Sequence, residues 1–102
     1  METHNLFREA DGFALFETTA RSQTAVMRLG PGEASSEKPS RHEKSDQILL
    51  VVQGALRAEI GGEVRDLAKG DLVTVPADTP HRFVNAGKEE ALAFTAYAPP
   101  AY

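Results

Sequence analysis

The amino-acid sequence predicts an all-β fold, a single barrel or sandwich of about nine short strands with no substantial helix. Three observations carry that expectation. Apolar residues gather in short runs rich in Val, Ile, Leu, Phe and Thr. Gly and Pro punctuate the chain at short, fairly even intervals. The pair Gly61-Gly62 stands between two such runs, where a tight hairpin needs residues that accept positive φ.

Taken in order, Phe13 to Thr19 and Gln23 to Leu29 read as the first two strands, parted by the polar Ala20-Arg21-Ser22. The second has a composition that a helix could also use. Gly30-Pro31-Gly32 breaks the chain, and the polar stretch from Glu33 to Asp46 reads as a loop with one strand edge. Gln47 to Gln53 holds the strongest apolar run, Ile48 to Val52, whose length and β-branched content point to a strand buried on both faces. Leu56 to Ile60 and Val64 to Leu67 flank the glycine pair as a hairpin. Leu72 to Val75, His81 to Asn85 and Leu92 to Tyr97 complete the set, with turns from Pro76 to Pro80 and from Asn85 to Gly87.

Of 102 residues, 41% are apolar and 25% charged, a balance that supports a packed core and argues against disorder. One domain over residues 1–102 is expected. The net charge is −4 and the basic residues are scattered singly, which excludes an electrostatic footprint for nucleic acid. Ile48 to Val52 is far too short to span a membrane, and the chain opens on Glu2, His4 and Arg8 instead of a signal-peptide apolar stretch. A cytoplasmic protein with no membrane partner is the expectation. Cysteine is absent, so any metal must be held by nitrogen and oxygen.

Between Gly70 and Asn85 the chain reads Gly70, five residues, Pro76, then Asp78, two residues, His81, three residues, Asn85. This resembles the second conserved motif of the cupin superfamily, with Asp78 in place of a glycine. Asp is a mild replacement, because it tolerates left-handed backbone and stabilises turns. Upstream, Ser40, His42, Gln47 and Gly54 fall at the spacing of the family's first motif, which has histidine where Ser40 stands and glutamate where Gln47 stands. The two motifs cover residues 32–54 and 70–85. A Gln at the glutamate position, and Phe94 to Tyr97 running into Pro99-Pro100, also look like features of a subset of small cupins. The resemblance implies a cupin-type double-stranded β-helix, or jelly-roll, barrel with a metal in its interior.

Strand side chains alternate between faces, so Ser40 and His42 share one face while Arg41 turns away, and Gln47, Leu49 and Val51 share another. In a barrel these inward rows converge. His42, Gln47 and His81 are then the metal ligands, with Ser40 a vacant ligand position, and Leu49, Val51 and Ser40 line the ligand pocket. The ion would be a divalent transition metal (Zn, Ni, Mn or Fe). The neutral ligand set differs from the two-histidine, one-carboxylate arrangement of oxygen-activating iron sites. Glu37 and Glu43 are read as solvated loop charges and His4 as a surface residue near a mobile terminus; Tyr97 offers either a proton-donating phenol in the pocket or a packing residue at a dimer seam, and packing is the preferred reading.

No catalytic base falls at a motif position. Three functional classes therefore stay open: a metal-dependent enzyme acting on a small polar molecule, a non-catalytic module that binds or senses a small ligand, and a barrel whose site has decayed. Small cupins usually pair, and Ile48, Leu50 and Val52 offer an apolar outer row for a homodimer.

Overall fold

The computed structural model describes residues 1–8 and 12–102. A 3-10 turn at Leu6–Arg8 precedes eight strands: β1 Gly12–Thr18, β2 Gln23–Leu29, β3 Asp46–Gln53, β4 Ala55–Ile60, β5 Glu63–Ala68, β6 Leu72–Val75, β7 His81–Val84 and β8 Ala91–Ala98. Every pairing is antiparallel. One sheet has the order β1-β2-β8-β3-β6 and the other β5-β4-β7. Together they form the expected all-β jelly roll, and no helix among the described residues is long and apolar enough to cross a membrane.

The expected strands all form, within one or two residues of their predicted bounds. The strand edge expected between Glu33 and Asp46 reduces to two isolated bridges, Ala34 with Val84 and Ser40 with His81. They lay this loop along β7, which brings the two sequence motifs side by side.

The core lies between the sheets and draws on both of them: Met27, Leu29, Leu49, Val51 and Ala93 from one, Leu56, Ala58, Leu67 and Phe83 from the other. Alternation decides which residues enter it. In β3, Gln47, Leu49 and Val51 are buried, whereas Ile48 is 39% exposed and Leu50 and Val52 are half-buried. This corrects the expectation of a strand buried on both faces. A uniformly apolar run hides its alternation, because Leu and Val serve equally well inside and at a half-covered outer surface.

The glycine and turn markers have local causes. Gly54 sits at φ +74°, and a Cβ there would come within 2.5 Å of the Glu90 carbonyl oxygen and 3.0 Å of Ala91 Cα. Gly61 and Gly62, both at positive φ, close a two-residue loop between Ile60 and Glu63. Asp78 takes φ 61°, the left-handed conformation for which the family uses glycine. Asn85, fully buried, donates to the carbonyls of Leu29 (2.9 Å) and Glu89 (2.7 Å) and accepts from the Gly87 N–H at 2.9 Å. It is a bolt between β2 and the turn after β7, with no role at the cavity.

Candidate metal and ligand cavity

The geometry begins with one backbone pair. Ser40 and His81 exchange both of their hydrogen bonds, Ser40 N–H to His81 O at 2.9 Å and His81 N–H to Ser40 O at 2.8 Å. Two residues on, the His42 carbonyl accepts from the Asp78 N–H at 2.8 Å, so the left-handed turn of the second motif fixes the loop that carries His42. Arg41 points away and reaches Asp78 Oδ1 at 3.3 Å on the surface. The result places the His42 and His81 ring centres 5.0 Å apart.

These rings open on a cavity of about 330 Å³ at one end of the barrel. Ser40, His42, Gln47, His81, Thr95, Tyr97 and Tyr102 supply most of its polar lining, and Met27, Leu29 and Phe83 part of its apolar lining. Of the described lining residues Glu33 alone is acidic, and its Oε1 accepts from the Gly30 N–H at 2.5 Å. Arg28, at the rim, is engaged by Glu90 at 2.6 Å and by the Leu6 carbonyl at 3.2 Å.

His81 Nδ1 lies 2.9 Å from the Thr79 carbonyl oxygen. A carbonyl only accepts, so Nδ1 carries the hydrogen, and in the neutral ring Nε2 keeps its lone pair. Burial, and then the neighbouring His81, lower the His42 imidazole below its ordinary value of 6.5. His42 is therefore neutral at physiological pH, the form that ligates metals.

Gln47, 4% exposed, donates Nε2–H to Thr95 Oγ1 at 2.9 Å. Among the described residues its Oε1 is the buried side-chain atom left with no hydrogen-bond partner. Two imidazoles that share one ion through nitrogens at ~2.0–2.1 Å bring their ring centres to about 5 Å, and the orphaned amide oxygen adds a third donor. By the chemistry of its donors, two imidazoles and an unpartnered amide oxygen, the set of His42, His81 and Gln47 suits a divalent transition ion.

The cavity differs in part from the sequence expectation. Ser40, His42, Gln47 and His81 all line it. Leu49 and Val51, expected in the pocket, are fully buried in the core cluster instead. Gln47 pairs across to Tyr97, Leu49 to Thr95 and Val51 to Ala93. The cavity occupies the end of the barrel at the Gln47–Tyr97 rung, and side chains from both sheets fill the interior around Leu49 and Val51. Glu37 and Glu43 are exposed and stand outside the lining.

Tyr97, expected at a dimer seam, is 2% exposed and packs edge-to-face with His42 at a centroid distance of 5.1 Å. Burial, and then the Tyr102 phenol beside it, push the Tyr97 phenol well above its usual range, so it keeps its proton. Inward alternation with Gln47 and Thr95 is the sequence signal that places it. His4 stacks on Phe16 at 4.7 Å and, with Glu2 and Glu17, makes an exposed group of three ligating side chains away from the cavity lining.

Comparison with known proteins bears on the family of the chain. Residues 25–97 match the family model described as the cupin domain. The chain is 40% identical over 67 residues to the polyketide synthase CurC of Streptomyces cyaneus, covering 66% of this chain and 41% of that protein. It thus spans about two-fifths of the length of that curated relative. The structure of KdgF from Halomonas sp. superposes with a TM-score of 0.77 at 30% identity, over 86% of this chain and 77% of that one. TT1209 from Thermus thermophilus gives a TM-score of 0.84 at 30% identity, over 97% and 98% of the two chains. The family match takes in the cavity residues His42, Gln47 and His81 together with the turn markers Gly54, Asp78 and Asn85, and on these grounds the chain belongs to the cupin domain family.

Proposed function

We propose that this cupin holds one divalent transition ion through His42, His81 and Gln47 and uses the cavity to bind and polarise a small polar molecule that carries a carbonyl or hydroxyl oxygen. The observation that carries this reading is the buried, unpartnered Oε1 of Gln47 in the cavity that it shares with His42 and His81. An orphaned buried acceptor costs about 1–3 kcal/mol, which a bound cation would offset. When bound, the ion supplies Lewis acidity to the oxygen of the ligand.

The chain's own residues define the rest. His81 is oriented by Thr79 and His42 by the backbone at Asp78. Tyr97, protonated across neutral pH, donates a hydrogen bond to a ligand oxygen. Ser40, beside His42, leaves room where a bulkier ligating side chain would reach in. Met27, Leu29 and Phe83 hold water away from that side of the cavity. In the same reading two copies pair through the outer face of β3 and β6, where Leu50 lies opposite Leu72.

Elemental analysis of untagged protein purified without chelator tests the metal. Wild type should carry close to one equivalent and the His42→Ala, His81→Ala double variant almost none. Equal metal in both would sink the reading. Oxygen uptake and ligand turnover against diketones, catechols and small hydroxy acids then separate an enzyme from a binding module.

A further inference from the structure

We infer that residues 99–102 form a strap over the cavity mouth, and that Tyr102 is the residue through which the strap controls access to His42. Beyond β8 the chain leaves the sheet, and its backbone is held by side chains from other strands. Gln23, 1% exposed at the start of β2, donates Nε2–H to the Tyr102 carbonyl at 2.9 Å and accepts at Oε1 from the N–H groups of Ala101 (3.1 Å) and Tyr102 (3.0 Å). Its other Nε2 hydrogen goes to Thr18 Oγ1 at 2.9 Å. The amide therefore offers Tyr102 the donor and acceptor that a neighbouring strand would offer. Buried Ser45 adds a second tie, donating Oγ–H to the Pro100 carbonyl at 3.2 Å.

The ring that this strap delivers is only partly covered. Tyr102 meets His42 and Tyr97 at centroid distances of 5.4 Å and Phe13 at 5.2 Å, yet remains 62% exposed. Phe13 is itself 44% exposed. A backbone docked on buried amides and a ring half in water suit a part that closes over a site more than one that fills a core. Because the ties are side-chain bonds and no ladder is involved, the strap can lift while β8 stays paired, and water then serves the freed Gln23 amide. Tyr102 thereby sets which ligands reach His42, and small molecules pass more readily than bulky ones.

Site-resolved modification of histidines by diethyl pyrocarbonate, read by mass spectrometry at fixed neutral pH on metal-free protein, tests this independently of any metal. His42 in Tyr102→Ala should react about tenfold faster than in wild type, and Tyr102→Phe, which keeps the ring, should stay near the wild-type rate. Exposed His4 is the internal reference. Gln23→Leu should speed His42 as Tyr102→Ala does, and should also abolish the slow hydrogen exchange that the Ala101 and Tyr102 amides should show in wild type. If Gln23→Leu does not fold, Tyr102→Ala decides alone, since loss of an exposed ring leaves the core intact. A His42 rate unchanged in Tyr102→Ala, or amides at 101 and 102 that already exchange freely in wild type, would overturn the inference.

Discussion

Gln47 gives its amide hydrogen to Thr95 Oγ1 at 2.9 Å, and that bond leaves Gln47 Oε1 buried with no partner of its own. A group placed at a cost to the metal-free fold should reveal itself when it is removed. Gln47→Met keeps the volume and deletes the orphan but also takes the donor from Thr95 Oγ1, so the two effects offset and the metal-free variant should stay within about 1 kcal/mol of wild type in urea unfolding. The same variant should lose most of its bound metal. Gln47→Glu should behave oppositely, weakened without metal by a buried carboxylate and strengthened when metal compensates that charge. A Gln47→Met protein that is clearly less stable and retains its metal would contradict both parts.

Gly54 and Gly62 both sit at positive φ, +74° and +86°, but only Gly54 has backbone where a Cβ would go. Gly62→Ala should cost about 1 kcal/mol from conformation alone. Gly54→Ala adds the approach to Glu90 O and Ala91 Cα, so its loss should exceed about 2 kcal/mol. Thermal unfolding of the two variants side by side checks the order, and equal losses would show that the Glu90 turn yields.

These residues also show why part of the structure is legible in the sequence. Gly54, Gly61-Gly62, Asp78 and Asn85 answer backbone demands that few residue types satisfy, so they mark their turns. His42 and His81 follow from those turns by fixed spacing. Alternation puts Leu49 and Val51 on the right face but at the wrong depth, because it tells inside from outside and not how far along the barrel the cavity reaches. Tyr102 escapes the sequence for a different reason. The strap has no periodicity, and its anchor, Gln23, lies 79 residues from Tyr102 in sequence.

Asn85 satisfies two carbonyls and one N–H from a fully buried position. Asn85→Ala strands the Leu29 carbonyl in the core and frees the turn at Gly87. A loss of about 2–3 kcal/mol is expected, with bound metal unchanged in whatever fraction remains folded. Metal lost while the fold is intact would mean that Asn85 serves the cavity directly.

The direction of the His42 shift gives a pH prediction. Burial first, and His81 second, hold the folded-state value below 6.5, the ordinary value that the unfolded chain takes. As pH falls through 6.5 the unfolded state binds a proton that the folded state resists, so metal-free protein loses stability; above 6.5 that contribution is fully present. His42→Gln removes the group. Its unfolding free energy should therefore fall less steeply than that of wild type as pH drops from about 7 to about 5.5. Parallel slopes in urea titrations would show that the folded chain takes up the proton freely.

The last prediction concerns the outer face of the larger sheet. Leu50 lies directly opposite Leu72 on β6 and Phe94 on β8, and Ile48 stands two residues from Leu50 on the same face. Leu72 is 64% exposed and Ile48 39%, so this row leaves apolar surface in water that a second copy could cover. Wild type should sediment as a dimer at micromolar concentration. Leu72→Asp puts a charge on the most exposed member of the row without touching the core, and should raise the dissociation constant at least about 100-fold. Stability per protomer and metal content should not change, because neither Leu72 nor Ile48 lines the cavity. A wild-type monomer, or a Leu72→Asp dimer of unchanged affinity, would move the interface off this face.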